Sequence, residues 1–327
     1  MTAFVTGGSG FVGGAVIRAL VGEGRQVRAL ARSDAAAIAV TGCGAEAVPG
    51  DLRDRGALAA RMRGSEVVFH VAGLSRLCPR GPGELYATNV DGAATAVHAA
   101  ADAGVGRVVL TSSAAAIGER GGSIGREDSP HRGSFLSQYE RSKFLGERAA
   151  AAVAAERGID LVTVNPSSIQ GPGRTTGSAR ILLYAARSRT AALFDTAFSV
   201  LDIDDCAVGH VLAADRGIPG ERYLLSGSAL TMRSAVDLLR RTTGRPSHVV
   251  WVPRAFVRAA APLSRLAWRA DDAPVCPDVL RTLLHGHRYD GSRASRDLGL
   301  RYRSLEATLE RVVRWYRARG LLPEAAA

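Results

Sequence analysis

Short apolar runs alternate with amphipathic stretches through the first half of the chain. Buried parallel strands form near-continuous apolar runs, whereas helices that cover a sheet repeat apolar residues every three or four positions. The runs predict strands at 3–6, 26–31, 45–48, 67–70, 107–111 and 160–165, with helices at 12–21, 55–62, 84–103 and 136–157. This alternation predicts an α/β fold with a doubly wound parallel sheet of the Rossmann type.

After Pro166 the spacing becomes less regular and a Gly/Pro/Thr-rich loop follows at 170–177. The pattern predicts strands at 199–203 and 222–226, and helices at 178–188, from 204 onward, 231–243, 253–270 and 304–319. We therefore predict a dinucleotide-binding domain over 1–168, to which 199–215 returns. A smaller, mostly helical substrate-binding region is predicted over 169–327.

Composition narrows the class of protein. With 46% hydrophobic and 22% charged residues, the chain is typical of a soluble globular protein. Arginines interrupt every apolar run and no signal peptide is evident, so we expect a cytoplasmic protein without a membrane segment. The net charge of +11 comes from scattered arginines with few aromatic residues, which favours a solvated surface over a nucleic-acid partner.

Cysteine and histidine spacing indicates no metal site. The four cysteines lack CxxC spacing and are expected to be reduced thiols: Cys43, Cys78, Cys206 and Cys276. The seven histidines show no ligand spacing, and His285 and His287 would diverge on a helix.

A glycine loop joins the first predicted strand to the first helix. Gly7, Gly10 and Gly13 have GxxGxxG spacing and enclose Phe11 and Val12. Glycine permits close backbone approach to a pyrophosphate, and the helix N-terminus supplies amide donors and a favourable dipole. This loop predicts a dinucleotide cofactor.

The end of the second strand bears on which dinucleotide binds. NAD-binding folds place an acidic residue there for the ribose hydroxyls, but this position is Ala31, followed by Arg32. Arg32 can hold a 2′-phosphate, which favours NADP(H); NAD(H) stays open because Asp34 could bind the ribose. After the third strand, Asp51 and Leu52 are candidates for the adenine pocket, although Asp51 could instead cap a helix.

Tyr139 and Lys143 are the candidate acid/base pair. Their spacing of four puts them on one helix face. A nearby ammonium is expected to lower the pKa of the tyrosine towards working pH, so that Tyr139 can exchange a proton with a substrate oxygen. Lys143 is the chain's single lysine among 42 Lys and Arg residues, which indicates that a lysine is required there.

Further candidates lie where the fourth and fifth strands end, because ligands bind at the carboxyl edge of parallel sheets. After the fifth strand, Ser113 is expected to orient the substrate carbonyl beside Thr111, with Ser112 as the alternative. Asn89 either bridges backbone or water near Lys143 or is an ordinary helix-face residue. Small residues after the fourth strand leave room for the cofactor: Val71, Ala72 and Gly73.

Together these motifs resemble the extended short-chain dehydrogenase/reductase family. The similar segments include TGGSGFVG at 6–13, GDLRD at 50–54, FHVAG at 69–73, TSSA at 111–114 and NPSSIQGP at 165–172. The phrases VRALAR and YERSKFLGE resemble the dihydroflavonol-reductase-like branch, which includes the hopanoid-associated sugar epimerases.

The resemblance implies a Ser113, Tyr139 and Lys143 triad, with Pro166 and Ile169 facing the nicotinamide. It implies Arg32 as the 2′-phosphate ligand and homodimerisation through helices 84–103 and 136–157.

The expected activity is NADPH-dependent reduction of a ketone or aldehyde on a small specialised metabolite. One alternative is a sugar or steroid epimerase or dehydrogenase using NAD(P); another is a non-catalytic cofactor-sensing protein, which the Tyr139–Lys143 pair disfavours. Four loop arginines hint at an acidic or phosphate-bearing substrate, although solvated side chains are the favoured explanation: Arg76, Arg80, Arg120 and Arg174.

Overall fold

The computed structural model describes residues 1–79, 81–244, 248–264 and 276–323. Its strands are β1 (Thr2–Thr6), β2 (Gln26–Ala31), β3 (Glu46–Pro49), β4 (Val67–His70), β5 (Arg107–Thr111), β6 (Ile124–Gly125), β7 (Asp160–Pro166), β8 (Ser168–Gln170), β9 (Thr190–Leu193), β10 (Ala197–Asp202), β11 (Arg222–Leu225), β12 (Ser228–Thr231), β13 (His248–Trp251) and β14 (Arg288–Tyr289).

Its helices are α1 (Phe11–Gly22), α2 (Asp34–Thr41), α3 (Arg55–Met62), α4 (Gly83–Tyr86), α5 (Gly92–Asp102), α6 (Gln138–Arg157), α7 (Ala179–Arg187), α8 (Ile203–Arg216), α9 (Met232–Thr243), α10 (Arg254–Ala260), α11 (Pro277–His285) and α12 (Leu305–Ala318). A π-helical turn, Ala87–Asp91, joins α4 to α5.

A seven-stranded parallel sheet forms the centre of the molecule, in the order β11-β7-β5-β4-β1-β2-β3. The order reverses beside β1, so the chain runs outward in both directions from β1 and β4. This confirms the predicted doubly wound Rossmann fold. The reversal opens a crevice at the carboxyl ends of β1 and β4, where a ligand binds in such sheets.

Apolar side chains bury both faces of the sheet. One core packs α1 and α8 against the sheet through residues such as Val16, Leu20 and Val211. The other packs α3, α5 and α6 through residues such as Met62 and Val97. Both cores are rich in alanine and valine, which lets the helices approach the sheet closely and fixes the loops at its edge.

The chain after residue 169 contributes to the central sheet as well as forming smaller sheets. β11 pairs with β7 in the main sheet, and α8 packs against α1. The smaller sheets are β12-β10-β8, β13-β9 and β14-β6. The division at 168/169 stays a prediction.

Three local features differ from the sequence-based expectations. Helix α2 was not predicted; it begins where the Ser33 hydroxyl accepts a hydrogen bond from Ala36 N. The predicted helix over 253–270 is a helix only over Arg254–Ala260 and a 3-10 turn over Ala261–Leu263, and its end lies outside the described residues. Helix α11, which the sequence analysis missed, begins with Cys276 as its N-cap.

Cys78 and Cys276 form a disulfide, so the expectation of four reduced thiols is wrong for this pair. The two residues are 198 positions apart, and the fold brings the loop after β4 to the start of α11. Sequence spacing carries no signal for such a distant contact. Cys43 and Cys206 are free thiols.

Within the described ranges, none of the helices has the length and apolar character needed to cross a bilayer.

Candidate functional site

The glycine loop lies at the crevice and is tightly packed. A Cβ at Gly7, whose φ is 71°, would lie 2.5 Å from the Ala72 nitrogen, and one at Gly13 would lie 2.2 Å from the Gly7 oxygen. Gly10 is different, because a Cβ there would meet only the Gly7 oxygen, 3.3 Å away. Helix α1 begins at this open side without a side-chain cap, which leaves its amide dipole for an anionic ligand. This cradle fits a pyrophosphate.

Charged residues cluster at the far end of the crevice. Arg32 is exposed directly after β2, and Asp34 is exposed in the first turn of α2. Asp51 does not cap a helix; its carboxylate accepts from Arg53, which lowers its pKa to about 2, with a smaller contribution from Arg32. Asp54 caps α3 instead. Asp51 thus has Arg53 as its main partner, and Arg32 is left exposed at the end of β2.

Tyr139 and Lys143 lie in the first half of α6, whose N-cap is Ser137. Lys143 is buried, and its Nζ donates to the Thr111 carbonyl oxygen over 3.1 Å. A Cβ at Gly73 would lie 2.9 Å from Lys143 Nζ, so only glycine leaves the ammonium its place. The structure thus brings together Gly73, Thr111 and Lys143 at adjoining strand ends.

The pKa values of this pair differ from the expectation. Burial lowers the pKa of Lys143 to about 8, against the opposing effect of Glu147. Burial raises the pKa of Tyr139, while the Ser113 hydroxyl and the Arg174 guanidinium lower it less strongly. The expectation that Lys143 lowers the tyrosine pKa is therefore wrong for the chain by itself. Loss of hydration outweighs the charge of the Arg174 guanidinium, which lowers the pKa of Tyr139 less strongly.

The two serines after β5 have different neighbours. The Ser113 hydroxyl lies beside Tyr139, and it accepts from Ala115 N at the start of the 3-10 turn Ala114–Ile117. Ser112 is buried and faces Glu147 instead. The arrangement therefore favours Ser113 over Ser112 as the substrate-facing hydroxyl.

Two further residues that the sequence analysis did not single out, Glu147 and the buried Asn165, support this centre. Glu147 lies one turn after Lys143, and burial raises its pKa. Asn165 donates to the Ser113 carbonyl oxygen over 3.0 Å and to Glu147 Oε1. The signal for Glu147 was its position four residues after Lys143 on the same helix face. Asn165 lies near the end of β7, and its signal was a polar residue at the carboxyl end of an otherwise apolar strand.

Asn89 bridges three elements. Its amide oxygen accepts from Leu74 N over 2.8 Å, and its amide nitrogen donates to Leu74 O and Ser142 Oγ, each over 2.9 Å. Asn89 therefore bridges backbone groups, as the first of its two predicted roles, and is not an ordinary helix-face residue. Asn89 fixes the loop after β4 against α6, beside Lys143.

The other predicted cofactor residues surround the crevice. Val71 packs on the core beside the glycine loop, and Ala72 N donates to Thr6 Oγ1 over 3.3 Å. Leu52 packs against Gly92 at the start of α5. Pro166 and Ile169 are buried at the end of β7 and in β8.

Arg174 is the loop arginine that the structure places next to the candidate acid. Its guanidinium donates to Ile169 O over 2.6 Å and lies 5.6 Å from the centre of the Phe11 ring. In the described part of the chain it pairs with no carboxylate. Arg76 pairs with Glu84, Arg120 is exposed, and Arg80 lies outside the described residues.

His285 and His287 converge, contrary to the expectation that they would diverge on a helix. His285 ends α11, and Gly286, with a φ of 73°, turns the chain so that the two ring centres lie 5.0 Å apart. The prediction is wrong because the helix ends at His285, so helical periodicity does not extend across Gly286 to His287.

A profile described as the NAD dependent epimerase/dehydratase family matches residues 3–226. The chain belongs to this family. Sterol demethylase protein B of Methylococcus capsulatus is 34% identical and covers 98% of this chain and 100% of its own length.

Two further family relatives are similar over most of this chain. A 4-hydroxy-2-methyl-3-oxo-4-farnesyl-3,4-dihydroquinoline-1-oxide ketoreductase of Stigmatella aurantiaca is 34% identical over 83% of this chain and 81% of its own. The crystal structure of gox2253 has a TM-score of 0.85 and 28% identity, covering 98% of this chain and 99% of that one. This epimerase/dehydratase family member therefore shares its whole architecture with solved structures.

Proposed function

We propose that the chain is an NADP(H)-dependent reductase that converts a ketone or aldehyde on a small specialised metabolite to an alcohol. The observation that carries this proposal is the convergence of Ser113, Tyr139 and Lys143 at the crevice formed where the sheet order reverses. A hydroxyl that positions an oxygen, a phenol that protonates it and a lysine beside them form a proton-transfer centre for carbonyl chemistry.

The residues have separate tasks. Bound NADPH supplies the hydride. The Ser113 hydroxyl donates a hydrogen bond to the substrate oxygen and orients the carbonyl. Tyr139 stays protonated at neutral pH because burial raises its pKa, so it is ready to donate its proton as the oxygen becomes an alkoxide.

Lys143 is held in place by Thr111 O and is positioned to hydrogen-bond the cofactor ribose. Its pKa of about 8 makes it a suitable partner for restoring the proton on Tyr139 near working pH. Glu147, the next acidic residue on the same helix face, favours the ammonium form and keeps Lys143 from losing its proton more readily.

The preference for NADP(H) rests on Arg32 and Ala31. Ala31 ends β2 without a carboxylate that would repel a 2′-phosphate, and exposed Arg32 follows it. Arg53 forms an ion pair with Asp51, so the carboxylate near Arg32 already has a cationic partner. A guanidinium binds a phosphate with charge-assisted hydrogen bonds, which a ribose hydroxyl cannot match.

A reductase is favoured over an epimerase by the ketoreductase of Stigmatella aurantiaca, which is 34% identical. The family description supports the second candidate, an epimerase or dehydrogenase that uses the same hydride chemistry reversibly. An epimerase keeps one cofactor bound while the substrate is oxidised and then reduced again, whereas a reductase releases the oxidised cofactor after each turnover and binds a new reduced one.

Two measurements on one preparation distinguish these functions. The first follows NADPH consumption with a panel of ketones and aldehydes, including 3-oxo acids and quinone-derived ketones. The second measures the nicotinamide cofactor released on denaturing the purified protein. A reductase is expected to consume NADPH with a panel member and to carry little cofactor; stoichiometric retained cofactor and no net consumption would contradict the proposal.

A further inference from the structure

A cluster of two imidazoles and a buried carboxylate lies after the 3-10 turn that follows Ser113. Glu119 follows the 3-10 turn that begins at Ser113, and it is 1% exposed. Its Oε1 lies 2.6 Å from His287 Nδ1 and 3.8 Å from His285 Nε2. One ligand atom from each of the three residues lies within 4.8 Å of the other two.

Several polar atoms of this cluster have no partner. Glu119 Oε2, His285 Nε2 and His287 Nε2 are buried without a hydrogen bond in the described ranges. Buried polar groups are nearly always satisfied, so three such atoms in one place indicate a missing partner. The histidine side chains are only 11% and 16% exposed, which leaves bulk water little access to them.

The charges around the cluster favour a cation. Arg132 donates to the Glu119 main-chain oxygen over 3.1 Å, but its guanidinium forms its ion pair with buried Glu140. Glu119, Glu140 and Arg132 together leave one negative charge when both histidines are neutral.

The geometry points to a divalent metal site of the zinc class, formed by Glu119, His285 and His287. Zinc binds imidazole nitrogen and carboxylate oxygen at about 2.0–2.2 Å, which puts tetrahedral ligands about 3.4 Å apart. The 2.6 Å from Glu119 Oε1 to His287 Nδ1 and the 3.8 Å from Glu119 Oε1 to His285 Nε2 lie on either side of that spacing. The Tyr289 hydroxyl lies 3.1 Å from His287 Nδ1, at the border of the cluster.

A bound ion would connect two parts of the chain that meet at this cluster. Tyr289 packs with Ala114 and Ile117 of the turn after Ser113, and β14 pairs with β6. A metal at Glu119 would fix this turn to the end of α11. We assign the ion a structural role, because it is held by this cluster rather than by the proton-transfer residues.

The test is a Zn²⁺ titration of chelator-treated full-length protein without a polyhistidine tag, followed by calorimetry and metal analysis. We expect one Zn²⁺ per chain and a higher melting temperature with Zn²⁺. Glu119→Gln and His285→Asn should each weaken binding by more than about 100-fold, since outer-shell partners alone contribute about 10–100-fold. The matched control is His248→Asn, because His248 is exposed in β13 and should leave binding unchanged.

Either of two binding results would overturn the site, and a stability result named below would do so too. The binding results are no stoichiometric Zn²⁺ binding by the wild type, or binding that the Glu119 and His285 variants retain. If Glu119→Gln fails to fold, His285→Asn decides, because His285 lies at a helix end and its replacement keeps a polar side chain. Stability that changes with pH in the same way with and without Zn²⁺ would assign the cluster to proton binding alone, and would also overturn the proposal.

Discussion

Lys143 Nζ donates a hydrogen bond to the carbonyl oxygen of Thr111 over 3.1 Å, and this bond joins helix α6 to the end of strand β5. It brings the single lysine of the chain to the sheet edge where Ser113 begins the next turn. Burying an ammonium group lowers the free energy of unfolding, so the presence of Lys143 at this position indicates a functional requirement for it. That requirement can be measured.

Replacing Lys143 with Met should stabilise the protein at neutral pH and remove turnover. Because the pKa of Lys143 falls from 10.5 to about 8 on folding, the unfolded chain binds the extra proton between those values. The stability of the wild type should therefore rise relative to the variant as pH increases from about 8 to 10.5. At pH 7 the variant should gain up to about 3 kcal/mol.

Urea unfolding of both proteins at pH 7 and pH 9.5 checks this prediction. Arg148→Met, on an exposed position of the same helix, is the matched control and should not change the pH dependence. A Lys143→Met variant that is less stable than the wild type at pH 7 would show that the lysine stabilises the fold.

Arg32→Ala should weaken NADPH binding at least tenfold, or about 1.4 kcal/mol, and leave NADH binding unchanged. The reason is that only the 2′-phosphate requires the guanidinium. Fluorescence titration with both cofactors measures the two affinities. Asp34→Ala tests the rival ribose ligand: a selective loss of NADH affinity in that variant, with Arg32→Ala silent, would reverse the assignment.

Arg174→Gln should move the alkaline limit of the reductive rate to higher pH. Arg174 lowers the pKa of Tyr139, so removing its charge keeps the phenol protonated further up the pH scale. The pH profile of kcat reports this shift, and Arg174→Lys should restore part of it. Arg120→Gln is the control, because Arg120 is exposed; equal profiles for wild type and Arg174→Gln would exclude an electrostatic role.

A homodimer through the helical segments 84–103 and 136–157 remains a prediction from the family resemblance. Light scattering on the eluted protein should give about twice the chain mass of 34.2 kDa. A mass of one chain at micromolar concentration would contradict it.

The sequence allowed most of the fold to be predicted because its signals are local. The glycine loop, the strand that precedes it and the Tyr139–Lys143 spacing each lie within a few residues, and their physical requirements are specific. Helix α2 was missed because Val40 alone is buried in it, so it lacks the apolar periodicity that marks a helix.

The remaining features depend on tertiary structure. Cys78 and Cys276 meet across 198 positions, and His285 and His287 converge because of the backbone conformation of Gly286. The raised pKa of Tyr139 depends on burial, which the YxxxK spacing cannot report. Helical spacing predicts that Glu147 lies on the same face as Lys143, but it does not predict the hydrogen bond from Asn165 to Glu147.

The measurement that tests the central claim most directly is the turnover and NADPH affinity of Tyr139→Phe. Phenylalanine keeps the ring and removes the hydroxyl that donates the proton. We predict that NADPH binding stays within about twofold of the wild type while kcat falls by about 10²-fold or more, the usual contribution of a positioned general acid. Turnover near the wild-type rate would contradict the assignment of Tyr139 as the acid.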